Sequence, residues 1–84
     1  MNRAELEELV VGLVNETFSD DLAEVILEDD AFGALVGRLS RKSDGDPDDM
    51  ATLLGAVADE LEQDTVDWLV DNASNPAAFI ASKI

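Results

Sequence analysis

Neither cysteine nor histidine occurs in this 84-residue chain. The first absence removes disulfides, thiolate nucleophiles and thiol redox centres. The second removes the commonest general base and the commonest nitrogen ligand for a metal ion. Positive charge is scarce: five Lys and Arg stand against 20 Asp and Glu, a net charge of −15. Such a surface repels nucleic-acid phosphate and anionic lipid, so neither is an expected partner. No run approaches the roughly 18 apolar residues that a membrane span requires. The opening MNRAELEEL lacks the basic and apolar regions of a signal peptide. A cytoplasmic protein, or the N-terminal module of one, is expected. No segment alternates apolar and polar residues with β-branched content, so no strands are predicted.

What the chain does have is 46% apolar residues, enough to argue against disorder despite the charge. Residues 1–84 make one domain, able to bury roughly 60–65% of its unfolded surface. The acids are mostly Asp, 12 against 8 Glu, and Lys occurs twice. That bias fits adaptation to a salty cytoplasm as well as it fits a basic partner.

The clearest segment is DPDDMATLLGAVADEL, Asp46 to Leu61. Asp46 suits an N-cap, Pro47 the first helical position, and Asp48 and Asp49 the positive end of the helix dipole. Met50, Leu53, Leu54, Val57, Ala58 and Leu61 then fall on one helical face. This helix, ended by Gln63 and Asp64, is expected to be the seam that five other helices cover.

Asn2 with Glu5 reads as a capping box for a first helix, whose inner face carries Leu6, Leu9, Val10, Leu13, Val14 and Phe18. Val11 widens that stripe, and Gly12 is expected to mark a close helix contact. Ser19 caps a second helix running to about Glu28, with Leu22, Val25 and Ile26 inward. Asp29 and Asp30 restart the chain into a third helix, Ala31 to Arg41, burying Phe32, Leu35, Val36 and Leu39. Ser43 to Pro47 is the clearest loop. Asp64 with Asp67 caps a fifth helix to Asp71, with Val66, Leu69 and Val70 inward and Trp68 in a partly buried core role. The segment Asn72 to Asn75 breaks the chain. Asn75-Pro76 caps a last helix running through Ile84 and anchored by Phe79, Ile80 and Ile84. The fold class is therefore all-α, a compact bundle of about six short helices.

Candidate chemistry is thin. The acidic loop Asp44, Asp46, Asp48, Asp49 fails the EF-hand register. With Asp44 first, the sixth position is Asp49 rather than Gly and the twelfth is Gly55 rather than Glu. Asp20/Asp21, Asp29/Asp30 and Asp48/Asp49 are sequence neighbours at helix starts, not a facing catalytic pair. The serines have no His to activate them, and no glycine-rich phosphate loop occurs. No enzyme, cofactor or metal is expected. Arg38, Arg41 and Lys42 hold three of the five positive charges. They complement the C-terminal dipole of the third helix, or form a basic patch that meets acids on another molecule.

Six short helices in a chain of this length resemble the death fold. The linear pattern is similar to the bacterial effector-associated domains, small adaptor modules of conflict and immune systems. It consists of Glu5-Leu6-Glu7-Glu8-Leu9 through Leu13-Val14 and Phe18, then Asp20-Asp21-Leu22 into Val25-Ile26-Leu27. Leu35 to Leu39, a loop and Leu53-Leu54 follow, and Trp68-Leu69-Val70 with Asn75-Pro76 close the chain. Trp68 lies later than that family's aromatic, and the fuller Asn-Pro-Gly-Asn close is absent. The resemblance implies a non-enzymatic, death-fold-like adaptor that pairs with a like domain on an effector, or with itself. Its contacts would be Arg38, Arg41 and Lys42 on one side and Asp20, Asp21, Glu24 and Glu28, sharing a face of the second helix, on the other. Two alternatives compete: an acidic inhibitor or DNA mimic for a basic partner, and an accessory protein of a halophile.

Overall fold

Three side chains start three helices as their positions dictate. Asn2 Oδ1 accepts from Glu5 N–H at 2.8 Å, Ser19 Oγ from Leu22 N–H at 3.4 Å, and Asp46 Oδ1 from Asp48 N–H at 2.9 Å. Each satisfies an orphan donor of a first helical turn. The computed structural model describes residues 2–72 and 74–84; Ala73, within the break expected between Asn72 and Asn75, lies outside them. Among the described residues there are six helices and no strand: α1 (Arg3–Thr17), α2 (Asp20–Glu28), α3 (Phe32–Ser43), α4 (Pro47–Glu60), α5 (Gln63–Asp71) and α6 (Pro76–Ser82). The protein is an all-α bundle. No helix is long and apolar enough to cross a membrane.

The core draws on all six helices and the α1–α2 junction. Val10, Val14, Leu22, Ile26, Leu35, Val36, Leu39, Met50, Leu54, Leu69 and Ile80 are fully buried, with Phe18 beside them. The radius of gyration is 11.7 Å, against about 12 Å for a folded chain of this length.

The hub is α3, not α4. α3 packs against α1, α2, α4 and α6, whereas α4 packs mainly on α1 and α3. The strong N-terminal signals of α4 report how independently that helix starts, not how many neighbours it has. Small residues line the space where α3 and α6 meet, Ala34 from α3 and Ala78 and Ala81 from α6. The α3–α6 contact is the most extensive in the molecule.

Several boundaries differ from expectation. α3 runs on to Ser43, which is buried because its hydroxyl donates to Leu39 O at 2.6 Å within the helix. Asp44 (φ 54°) and Gly45 (φ 78°) then turn the chain through the left-handed region. Gly45 N–H closes on Ser40 O at 3.0 Å. α4 ends at Glu60, and α5 starts at Gln63 with Glu62 at the N-cap and no side-chain cap bond. Asp64 and Asp67 therefore lie inside α5, where Gln63 Nε2 donates to Asp67 Oδ1 at 2.9 Å. Asn75 does not cap α6 with its side chain. That role falls to Asp29: one oxygen accepts from Ala31 N–H at 2.9 Å at the start of α3, the other from Ala77 N–H at 2.8 Å in α6. Phe32 is half-buried rather than core, as are Val11, Val25, Val66, Val70, Phe79 and Ile84.

Gly12 is exposed, and a Cβ there would meet nothing within 4 Å. It marks no close helix contact. Gly12→Ala is therefore expected to stabilise the domain by about 0.5–1 kcal/mol through the unfolded chain. Thermal melting followed by circular dichroism checks this; a variant that melts at or below the wild-type temperature refutes it.

Candidate interaction surface

Helical spacing sets out the cations of α3. Gly33, Gly37 and Arg41 follow one line at four-residue steps; Ala34, Arg38 and Arg41 follow a neighbouring one. Arg41 and Lys42 occupy the last turn, next to the free carbonyls, and both are exposed. Arg38 and Arg41 border a shallow concavity between α3 and α6, floored by Ala34, Ala78 and Ala81. The small side chains make the floor flat. The Arg38 Nε is buried without a hydrogen-bond partner.

A further cation joins this face from α1. Arg3 donates through Nη2 to Gly33 O at 2.9 Å and through Nε to Glu7 Oε1 at 3.2 Å. A Cβ on Gly37 would lie 3.4 Å from Arg41 Nη1 and 3.9 Å from Arg3 Nη1. The two guanidiniums thus approach across a strip of bare α3 backbone. Sequence reading left Arg3 outside the basic group because 30 residues separate it from Gly33. The available signal was the Gly33/Gly37 pair, one helical turn apart.

Among the described residues the one ion pair is Arg3–Glu7, with both side chains about half exposed. Among the described residues Arg38, Arg41 and Lys42 have no acid within ion-pair distance. On α2, Asp20, Asp21, Glu24 and Glu28 are all exposed on one outer arc, while Leu22, Ala23 and Ile26 face the core. No hydrogen bond or ion pair joins these acids to the cations of α3. The structure brings the members of each group together and leaves the two groups apart.

Trp68 does not serve the core. It is 52% exposed on the outer side of α5. Asp64 and Asp71 flank it at one-turn spacing. Leu69 is the fully buried residue of that helix instead. The apolar residues on both sides of Trp68 in the chain point to burial, but on a helix successive residues are a hundred degrees apart.

In the acidic loop before α4 the Asp46 carboxylate caps Asp48 N–H, and the main-chain oxygen of Asp48 accepts from Thr52 Oγ1 at 3.0 Å. Among the described residues no group of three or more acids is placed to hold a metal ion. No protein-family model, curated protein or solved structure matches this chain.

Proposed function

We propose that this domain is a non-enzymatic protein-interaction module of the cytoplasm, an adaptor that associates with a like domain on an effector or with its own copies. The bacterial conflict and immune systems suggested by the sequence pattern are its proposed setting. One observation carries the proposal. In a molecule of net charge −15, guanidiniums without an acidic partner gather on α3 beside an alanine-floored face. Arg41 and Lys42 also complement the C-terminal dipole of α3, a role that leaves their charge open to an acidic partner. Arg41 and Lys42 are exposed, and Arg38 is half-buried with its Nε unsatisfied. An acidic helix face such as Asp20, Asp21, Glu24 and Glu28 is the complement they fit. Contacts of that kind set register and association rate more than affinity.

Arg38→Glu combined with Arg41→Glu is expected to abolish association. Arg41→Glu sets a carboxylate beside the C-terminal carbonyls of α3, so stability should fall by about 1 kcal/mol while the domain stays folded and helical. Sedimentation or light scattering beside circular dichroism separates the two effects. Association that survives the double reversal overturns the assignment of this face.

A further inference from the structure

A trough lies between α2 and α5, away from the cations described above. It joins two concavities that share Ser19, Gln63 and Val66. Apolar side chains floor it, with Leu22 and Leu61 at one end and Val70 toward the other. Asp21, Asp67 and Asp71 rim it, all three exposed. No Lys or Arg lines either part. None of the rim acids belongs to an ion pair among the described residues.

The chemistry of the trough names its occupant. The rim carboxylates are exposed and attract a cation through water, and a ligand lying on the apolar floor would exclude part of that water and strengthen the attraction. The floor rewards an aliphatic side chain and gives a bare ammonium nothing. We propose that this trough docks a cationic amphipathic segment of another protein, with aliphatic side chains on Val66 and Val70 and Lys or Arg facing Asp21, Asp67 and Asp71. The proposal rests on the domain being an interaction module. A second copy fits poorly. Its Arg38 and Arg41 stand beside alanines, with no large aliphatic side chain to fill the floor.

The test uses the full chain and two fluorescently labelled peptides of equal lysine and leucine content. In one the leucines form a single helical face; in the other the order is shuffled so that no face forms. Anisotropy gives affinity, and amide chemical shifts give location. The patterned peptide is expected to bind several-fold more tightly than the shuffled one, with shifts concentrated over residues 19–22 and 61–71. Asp67→Asn with Asp71→Asn should weaken it about tenfold at low salt, less as salt rises. Equal binding of the two peptides overturns the proposal. So do shifts spread over every acidic face, or an unchanged affinity in the double variant. Arg38→Glu with Arg41→Glu distinguishes the two readings. If that variant loses association while the peptides do not discriminate, only the trough is refuted. If association survives it while the patterned peptide maps to the trough, only the basic face is refuted.

Discussion

Leu39→Ala is expected to destabilise the domain by about 2–5 kcal/mol, and Leu54→Ala by a similar or smaller amount. Both residues are fully buried. They differ in what surrounds them. Leu39 lies on α3, packed against four helices, so the walls of the new cavity have little freedom to close. Leu54 lies on α4, which packs mainly on two helices and can move inward. Total stability for a chain of this length falls at roughly 4–13 kcal/mol, so Leu39→Ala removes a large share of it. The charge lowers that reserve. At about 0.01 M salt the screening length is roughly 30 Å, longer than the shortest extent of the molecule, 20 Å. Repulsion among the acids therefore reaches across the fold. Leu39→Ala is expected to be largely unfolded at low salt and to recover helicity as salt rises. Urea titrations at two salt concentrations measure both effects. A Leu39→Ala midpoint equal to wild type at either concentration sinks the assignment of α3 as the hub.

That assignment is also where sequence reading stopped short. Asn2, Ser19 and Asp46 announce their helices because a capping side chain acts within three residues of itself. Apolar spacing likewise shows the inner faces of α1, α2 and α4. How many helices meet a given one is a matter of tertiary arrangement, and no local pattern records it. The start of α5 was missed for a related reason. Its N-cap position holds Glu62 with no side-chain bond, so the nearby Asp64 looked like the signal.

The candidate surface was legible to a similar degree. Arg38, Arg41 and Lys42 adjoin in sequence, and helical spacing alone puts them on one side of α3. The acids of α2 share an arc for the same reason. Arg3 required the crossing of α1 over Gly33, and Trp68 required the orientation of α5. Both depend on contacts between segments distant in the chain. The trough is less visible still, because Asp21 and Asp67 come from different helices that meet only in the folded molecule.

Asp29→Ala is expected to cost about 2–4 kcal/mol, far more than an acid at a helix junction usually does. Asp29 stands next to Asp30, and sequence gives no reason to prefer either. In the fold, Asp29 alone of the two bonds through its side chain, and it bonds twice. Its oxygens accept from Ala31 N–H and Ala77 N–H, which starts α3 and ties α6 to the α2–α3 junction. Ala77 is fully buried, so its N–H has no ready replacement in water. Losing an ordinary cap costs about 1 kcal/mol, and stranding a buried donor about 1–3 kcal/mol more. Asp29→Asn separates the two: its amide presents one oxygen and one NH2, so it can cap one helix while setting donor against donor at the other. It should fall between wild type and Asp29→Ala, and Asp30→Ala should lie within about 0.5 kcal/mol of wild type. Each kcal/mol moves the melting temperature by roughly 4–8 °C in a domain of this size, so thermal melts resolve the order. Equal melting of the Asp29→Ala and Asp30→Ala proteins refutes the double cap. The effect extends to the basic face. α6 has seven residues, too few to hold as a helix without its neighbours, and its Ala78 and Ala81 floor the concavity beside Arg38 and Arg41. Releasing α6 should therefore weaken any association through that face, although Asp29 lies outside it.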